Sequence, residues 1–223
     1  NVFTSGEAAI NSLKNNKFLS VIDIDKEFTT NEGNFKFSQI KNIPSIVETS
    51  TGVNFKIYKP SYKEFVILMK RGPQIIYPKD VAQIVLESNI HNSSKVLEIG
   101  SGSGALTLYL YTILKNTGVL YSLDSSKINQ RRADKTISRY ISTLSDESND
   151  ITFINQELIN FEYKTLNENL DAIITDVPEP WEFFTNNKIK NSVCWVSYLP
   201  SMTQVMRMND ALKEQQFQDI EIK

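Results

Sequence analysis

Glu98 and the run Gly100-Ser101-Gly102-Ser103-Gly104 lie within one apolar stretch, "VLEIGSGSGALTLYL". Three glycines at alternate positions cost backbone entropy and let a ligand approach main-chain amides closely. Asp124 closes the next apolar run, "GVLYSLD", and Asp176 closes "LDAIITD" before two prolines and a tryptophan. Acids placed where strands end, beside a glycine loop, are suited to holding hydroxyls and amines. The chemistry these types and spacings allow is that of a nucleotide-like cofactor, and two cofactor classes fit the local pattern.

Read as G-x-G-x-x-G/A, Gly100, Gly102 and Ala105 satisfy the dinucleotide fingerprint, with Asp124 roughly where a ribose-binding acid belongs. Glu98 pulls away from that reading. A carboxylate two residues before the loop sits poorly beside a pyrophosphate and suits an ammonium group. S-adenosylmethionine is cationic at its sulfonium and amino groups and carries no phosphate, so it fits better. Asp124 then takes the ribose hydroxyls. "DVPEPW" (176–181) reads as a rigid ledge that clamps a planar base, Asp176 accepting from an exocyclic amine while an aromatic ring stacks. The plainer reading is a proline-stiffened loop over the core.

Bulk properties narrow the classes. The 223 residues are 40% hydrophobic and 22% charged, globular values. Cys194 is the only cysteine and His91 the only histidine. No intrachain disulfide can form, and a His/Cys zinc cluster is excluded by count, so no metal is expected. A Ser-His-Asp triad would need His91, which lies in the polar stretch "NIHNSSK" and reads as a solvated loop residue. No apolar run approaches membrane-spanning length, so no membrane partner is expected. The Asn- and Lys-rich composition and the absent start Met lean the expected location to the mitochondrial matrix, with the cytoplasm as the alternative. Net charge is −2. Yet residues 59–79 hold five basic residues against one acid, as do residues 127–139. These two patches favour an anionic partner.

The elements that must position these groups fall into two parts. Residues 1–60 show short β-like runs ("FLSVIDI", "NFKFSQI", "SIVET", "VNFKIYKP") with "TSTGVN" as a hairpin turn, a small N-terminal β domain. Residues 61–71 begin with a capping box, Ser61 and Glu64. "PKDVAQIVLESNI" opens a second helix on Pro78. From Lys95 strands and helices alternate: "KVLEI", helix 105–115, "GVLYSLD", a basic helix of about 126–144, "ITFINQ", "LDAIITDV", "SVCWVSYL", helix "SMTQVMRMNDALKEQ" and a last strand in "FQDIEIK". The pattern predicts an α/β fold, a mostly parallel sheet with helices on both faces over 61–223, binding ligands at the strands' carboxyl ends. "SDESND" (145–150) reads as a polar loop.

Four segments, "FKIYKPSYKEFVILMKRGPQIIYPKD", "VLEIGSGSGALTL", "DVPEPW" and "VSYLPSMTQV", carry a resemblance. In their order and spacing the chain resembles the tRNA adenine-58 N1-methyltransferases of the bacterial, archaeal and mitochondrial single-subunit type, over about residues 38–220. The resemblance implies a Rossmann-like class I methyltransferase domain, S-adenosylmethionine as cofactor, tRNA as partner and a homotetramer or a larger complex. It implies that Gln74 and Ile75 line the cofactor pocket and that Glu98, Gly100, Ser101, Gly102, Ser103 and Gly104 form the methionine cradle. Asp124 would hold the ribose, and Gln156 and Glu157 would flank the cofactor adenine. Asp176 would face the target adenine, with Tyr77 and Tyr198 shaping its pocket. Lys70, Arg71, Lys79, Arg131, Arg132 and Trp181 are the candidate RNA contacts. By the resemblance, family chains usually continue past the last strand with a closing β hairpin, so the domain is expected to be without its hairpin here, and residues 1–35 match poorly.

The expected activity is transfer of a methyl group to N1 of adenine 58 in the T-loop of tRNA. The alternatives are a catalytically silent methyltransferase-fold scaffold of an RNA-processing complex and a methyltransferase for another RNA. A nicotinamide dehydrogenase comes last.

Overall fold

The computed structural model describes residues 6–69, 75–114, 117–141, 151–166, 169–189 and 191–223. The chain divides into two compact units, Asn1–Arg71 with Lys135–Asp146, and Gly72–Asp134 with Glu147–Lys223.

In the first unit short β-prone runs pair antiparallel. Strands β1 (Ala8–Leu13), β2 (Asn16–Val21), β3 (Glu27–Thr30), β4 (Gly33–Lys36), β5 (Ser45–Glu48) and β6 (Asn54–Tyr58) follow one another in sequence. They form a four-stranded sheet in the order β2-β1-β6-β5 and a separate β3–β4 hairpin. The "TSTGVN" turn joins β5 to β6, in the register Ser45↔Ile57 to Glu48↔Asn54. Aromatic residues fill the interior, with Phe28 packed on Phe35, Phe37 and Phe55. Helix α1 (Tyr62–Leu68) closes this unit. Its capping box is formed in both directions: Ser61 Oγ accepts from Glu64 N at 3.3 Å, and Glu64 Oε2 accepts from Ser61 N at 3.1 Å.

The second unit is the alternating one. It comprises α2 (Pro78–Glu87), β7 (Lys95–Ile99), α3 (Ala105–Ile113), β8 (Val119–Leu123), α4 (Lys127–Ile141, whose last turns count with the first unit), β9 (Ile151–Ile154), β10 (Ala172–Thr175), β11 (Cys194–Ser197) and α5 (Met202–Glu214). The five strands are all parallel, in the order β11-β10-β7-β8-β9. Every residue of β10, and all of β7 except Lys95, is buried, which is why these strands read as continuous apolar runs. From β7 the chain runs outward through β8 to β9, then returns to the other side of β7 for β10 and β11. The direction reverses between β7 and β10, the switch point at which such sheets bind ligands.

One expected element is absent. "FQDIEIK" forms no strand. Gln216 (φ 64°) and Asp219 (φ 53°) are left-handed and break the extended run. Phe217 instead packs on Phe184 and Trp195, with ring centroids 6.2 and 6.1 Å apart. The outer ends of the basic helix (142–144) and of helix α3 (residue 115), and the loop "SDESND", lie outside the described residues. No helix among the described residues is long and apolar enough to cross a membrane.

Candidate functional site

Glycine and strand ends together make the site. Gly100, straight after β7, has φ +101°, a conformation L side chains avoid. A Cβ there would also run into the Asp176 carbonyl oxygen. Only glycine lets the β7 loop pass so close to the end of β10. Gly102 (φ +51°) would place a Cβ in open space. Gly104 (φ +81°) starts α3 where a Cβ would lie 2.5 Å from the Ala133 Cα of α4. One glycine serves the switch point, one leaves open space and one serves the helix packing.

These loops border a cavity of about 520 Å³. Its wall includes Ile75, Gly100, Gly102, Asp124, Gln156, Glu157, Asp176 and Tyr198 from the expected site. Ile76, Leu123 and Leu158 add an apolar side. The charged lining among the described residues is five carboxylates, Asp124, Glu157, Asp176, Glu179 and Glu182, with no lysine, arginine or histidine. They are not gathered as a metal site: among the described residues no three His, Cys, Asp or Glu side chains are placed to hold an ion. The electrostatics fit an organic cation and oppose a pyrophosphate.

Asp124 is held in place from several sides. Its carboxylate accepts from Gly102 N at 3.1 Å, Ser126 N at 2.8 Å and Asn129 Nδ2 at 3.3–3.4 Å. Asn155 Nδ2 donates to the Asp124 and Ser125 carbonyls at 2.9 and 2.8 Å, and Gln130 spans Asp124 O and Ile154 O. The long Asn129 contacts leave the carboxylate acceptor capacity for a diol.

Glu98 lies behind the loop, not in the cavity wall. It is 0% exposed. Thr107 Oγ1 lies 3.0 Å from one oxygen and Ser122 Oγ 2.5 Å from the other, and Ser101 Oγ is 2.6 Å from Ser122 Oγ. Burial pushes its carboxyl up to about 8, opposed by the two hydroxyls and reinforced by the charges of Asp176 and Asp124. Within the loop itself, Ser101, Ser103 and Gly104 are likewise buried, and none of the three lines the cavity.

Asp176 has a different setting. Its backbone N donates to Ile99 O at 2.8 Å, but among the described residues nothing donates to its carboxylate. Burial alone pushes it up to about 6. Tyr198 is 39% exposed and lines the wall, with its hydroxyl 3.4 Å from Asp80 Oδ2. Burial, then Asp80, raises that phenol above its ordinary range. Tyr77, 49% exposed, caps α2 and is not part of the wall.

Trp181 does not line the cavity. One face of its ring carries the Arg207 guanidinium, 4.2 Å from the centroid, a contact worth about 0.5–1 kcal/mol at an exposed site. Its Nε1 is buried without a partner among the described residues. Lys79, Arg131 and Arg132 are exposed. Gln74, Lys70 and Arg71 lie outside the described residues. Sequence reasoning missed the rim acids Glu179 and Glu182, and Asn129, whose only signal is its place in the first turn of the helix after Asp124.

The family described as "tRNA methyltransferase complex GCD14 subunit" matches residues 57–223. The chain belongs to this family. A relative from Methanocaldococcus jannaschii, named tRNA (adenine(57)-N(1)/adenine(58)-N(1))-methyltransferase TrmI, is 29% identical over 205 residues, covering 81% of this chain and 72% of that protein. The chain spans 66% of the length of TrmI relatives from Thermus thermophilus, at 26% identity and 77% coverage of this chain. The crystal structure of tRNA (m1A58) methyltransferase TrmI from Aquifex aeolicus superimposes with a TM-score of 0.75 at 26% identity, over 96% of this chain and 83% of that one. A SAM-dependent O-methyltransferase from Thermotoga maritima gives a TM-score of 0.82 at 21% identity, over 96% and 79%. The fold is therefore the Rossmann-like methyltransferase fold that the family resemblance implied, built on the parallel sheet expected from the strand and helix alternation.

Proposed function

We propose that this chain binds S-adenosylmethionine in the cavity at the switch point and methylates N1 of an adenine in tRNA, at position 58. The observation that carries this reading is the cavity wall: five carboxylates, no lysine, arginine or histidine among the described residues, and Gly102, where a side chain would meet only open space. That wall suits a ligand bearing ammonium and sulfonium charges and a ribose diol. The family match and the TrmI relatives supply the substrate class.

In this reading Asp124 takes the ribose hydroxyls, Gly100 and Gly102 flank the methionine part, and Ile75 and Leu158 enclose the adenine beside Gln156 and Glu157. Glu98 acts from behind the loop, by fixing Ser122 and, through it, Ser101. The bound cofactor supplies an electrophilic methyl group on sulfur. Asp176, whose carboxyl burial raises to about 6, accepts from the target base's exocyclic amine and stabilises the positive charge that the base acquires. N1 of neutral adenine has a free lone pair, so no proton must leave before attack, and Asp176 works ionised rather than as a strong base. The Tyr198 hydroxyl is directed to Asp80, which leaves its ring to position the base. Tyr77, outside the wall, is assigned to the approach of the substrate. Several relatives are named catalytic subunits, which supports function within an assembly.

The test is a calorimetric titration with S-adenosylmethionine, followed by labelled methyl transfer to unmodified tRNA and digestion to nucleosides. Label in 1-methyladenosine is expected. Binding without transfer would favour the scaffold reading, and tight binding of a nicotinamide dinucleotide instead would overturn the assignment.

A further inference from the structure

An acidic cavity mouth repels a polyanion, so an RNA-modifying site of this charge needs a cation where the backbone of its substrate passes. Glu179 and Glu182, both in the wall, flank Trp181 in sequence. Among the described residues a single ion pair reaches any wall carboxylate: Arg207 Nη1 to Glu179 Oε1, at 3.6 Å. That distance is too long for a hydrogen bond. No guanidinium hydrogen bond from Arg207 occurs among the described residues, so its planar fork of five donors is uncommitted. The group is nevertheless held in orientation. It lies 4.2 Å over the Trp181 ring, and α5 is fastened to the same segment one turn earlier, where Gln204 Nε2 donates to Pro178 O at 2.9 Å. The Arg207 and Glu179 side chains are 62% and 52% exposed. A preoriented, solvent-facing guanidinium with open donors beside a repulsive rim is suited to bidentate capture of a phosphate.

We propose that Arg207 is a positioning residue for the RNA substrate: its guanidinium passes from Glu179 to a backbone phosphate beside the target nucleotide, while Trp181 keeps it in plane. The inference rests on the reading of the substrate as RNA. It assigns Trp181 to holding Arg207 on the face that the guanidinium covers.

Methyl transfer to tRNA and tRNA affinity, each over a series of salt concentrations, test it in the wild type and in Arg207→Gln, Arg207→Lys and Glu179→Gln. Arg207→Gln is expected to raise the tRNA KM about tenfold with kcat and cofactor affinity nearly unchanged. The slope of log affinity against log salt should fall by about 0.7–0.9, one phosphate contact. Arg207→Lys should restore the slope but only part of the affinity, lacking the fork. Glu179→Gln should lower KM by freeing the guanidinium. An unchanged slope in Arg207→Gln, with or without a lower melting temperature, overturns the inference while leaving the functional reading intact. A wild-type protein that binds S-adenosylmethionine but neither binds nor methylates RNA overturns both.

Discussion

Gly100 and Asp176 meet backbone to backbone at the switch point: a side chain on Gly100 would press on the Asp176 carbonyl, with the carbonyl carbon at 3.0 Å. The cradle and the ledge are therefore one mechanical unit. Gly100→Ala adds the cost of a positive φ, about 1–3 kcal/mol, and an overlap of about 1–3 kcal/mol. The expected result is a melting temperature lowered by several degrees together with lost cofactor binding and lost transfer. Calorimetry and a thermal melt check it, and unchanged cofactor affinity would separate the two loops.

Asp176 should reveal itself in the pH profile. An acid with a folded pKa of about 6 is ionised above that value. Single-turnover transfer should rise with pH through about 6 and flatten above 7. Asp176→Asn should reduce transfer about 10²–10³-fold, the size seen when one aligned electrostatic group is removed, and erase the limb near pH 6. Cofactor affinity should stay within a few-fold of wild type. A limb that survives in the variant would assign the titration to another group.

Glu98 predicts a stability that declines as pH rises. Its folded pKa of about 8 exceeds the ordinary 4.5. Between those values the folded state holds a proton that the unfolded chain releases, so stability falls with rising pH across that window. Asp176, raised from 3.8 to about 6, adds the same sign only up to about 6. The interval from pH 6 to 8 isolates Glu98, with a slope of at most about 1.4 kcal/mol per pH unit. Denaturant melts of wild type and Glu98→Gln over that interval are expected to differ in slope, the variant being flatter. Equal slopes would mean that Glu98 stays ionised in its pocket.

The alternating half of the chain was readable because its central strands β7 and β10 are continuous apolar runs and its first helix α2 carries an ordinary start signal, Pro78. From that followed the parallel sheet and the strand-end positions of Gly100, Asp124 and Asp176. In the first unit β1 (AAINSL) lacks alternation and β3 has four residues, so neither stands out. "FQDIEIK" has strand-like composition, but a strand exists only with a partner, and Phe217 goes to the Phe184–Trp195 ring cluster. Strand-end logic also cannot tell a wall residue from one behind it. Glu98 is in register with Ser122 and turns inward to hydroxyls on β8 and α3. Glu179 and Glu182 reach the cavity only through the fold of the loop after β10.

Asp124 and Asn129 make the last prediction. The carboxylate meets Asn129 at 3.3–3.4 Å and two backbone amides at 2.8–3.1 Å. Losing charge-assisted hydrogen bonds to a diol costs about 1.5–3 kcal/mol. Asp124→Ala should therefore weaken S-adenosylmethionine about 10–100-fold. The loss should be larger for the ribose-bearing cofactor than for methionine alone. Asn129→Ala leaves the carboxylate and both amides in place, so it should weaken binding less than tenfold. With the charge retained, its effect should appear as a faster off-rate. Calorimetry with stopped-flow dissociation distinguishes them, because a merely structural Asp124 would lower the melting temperature of both variants without preference for the ribose-bearing ligand.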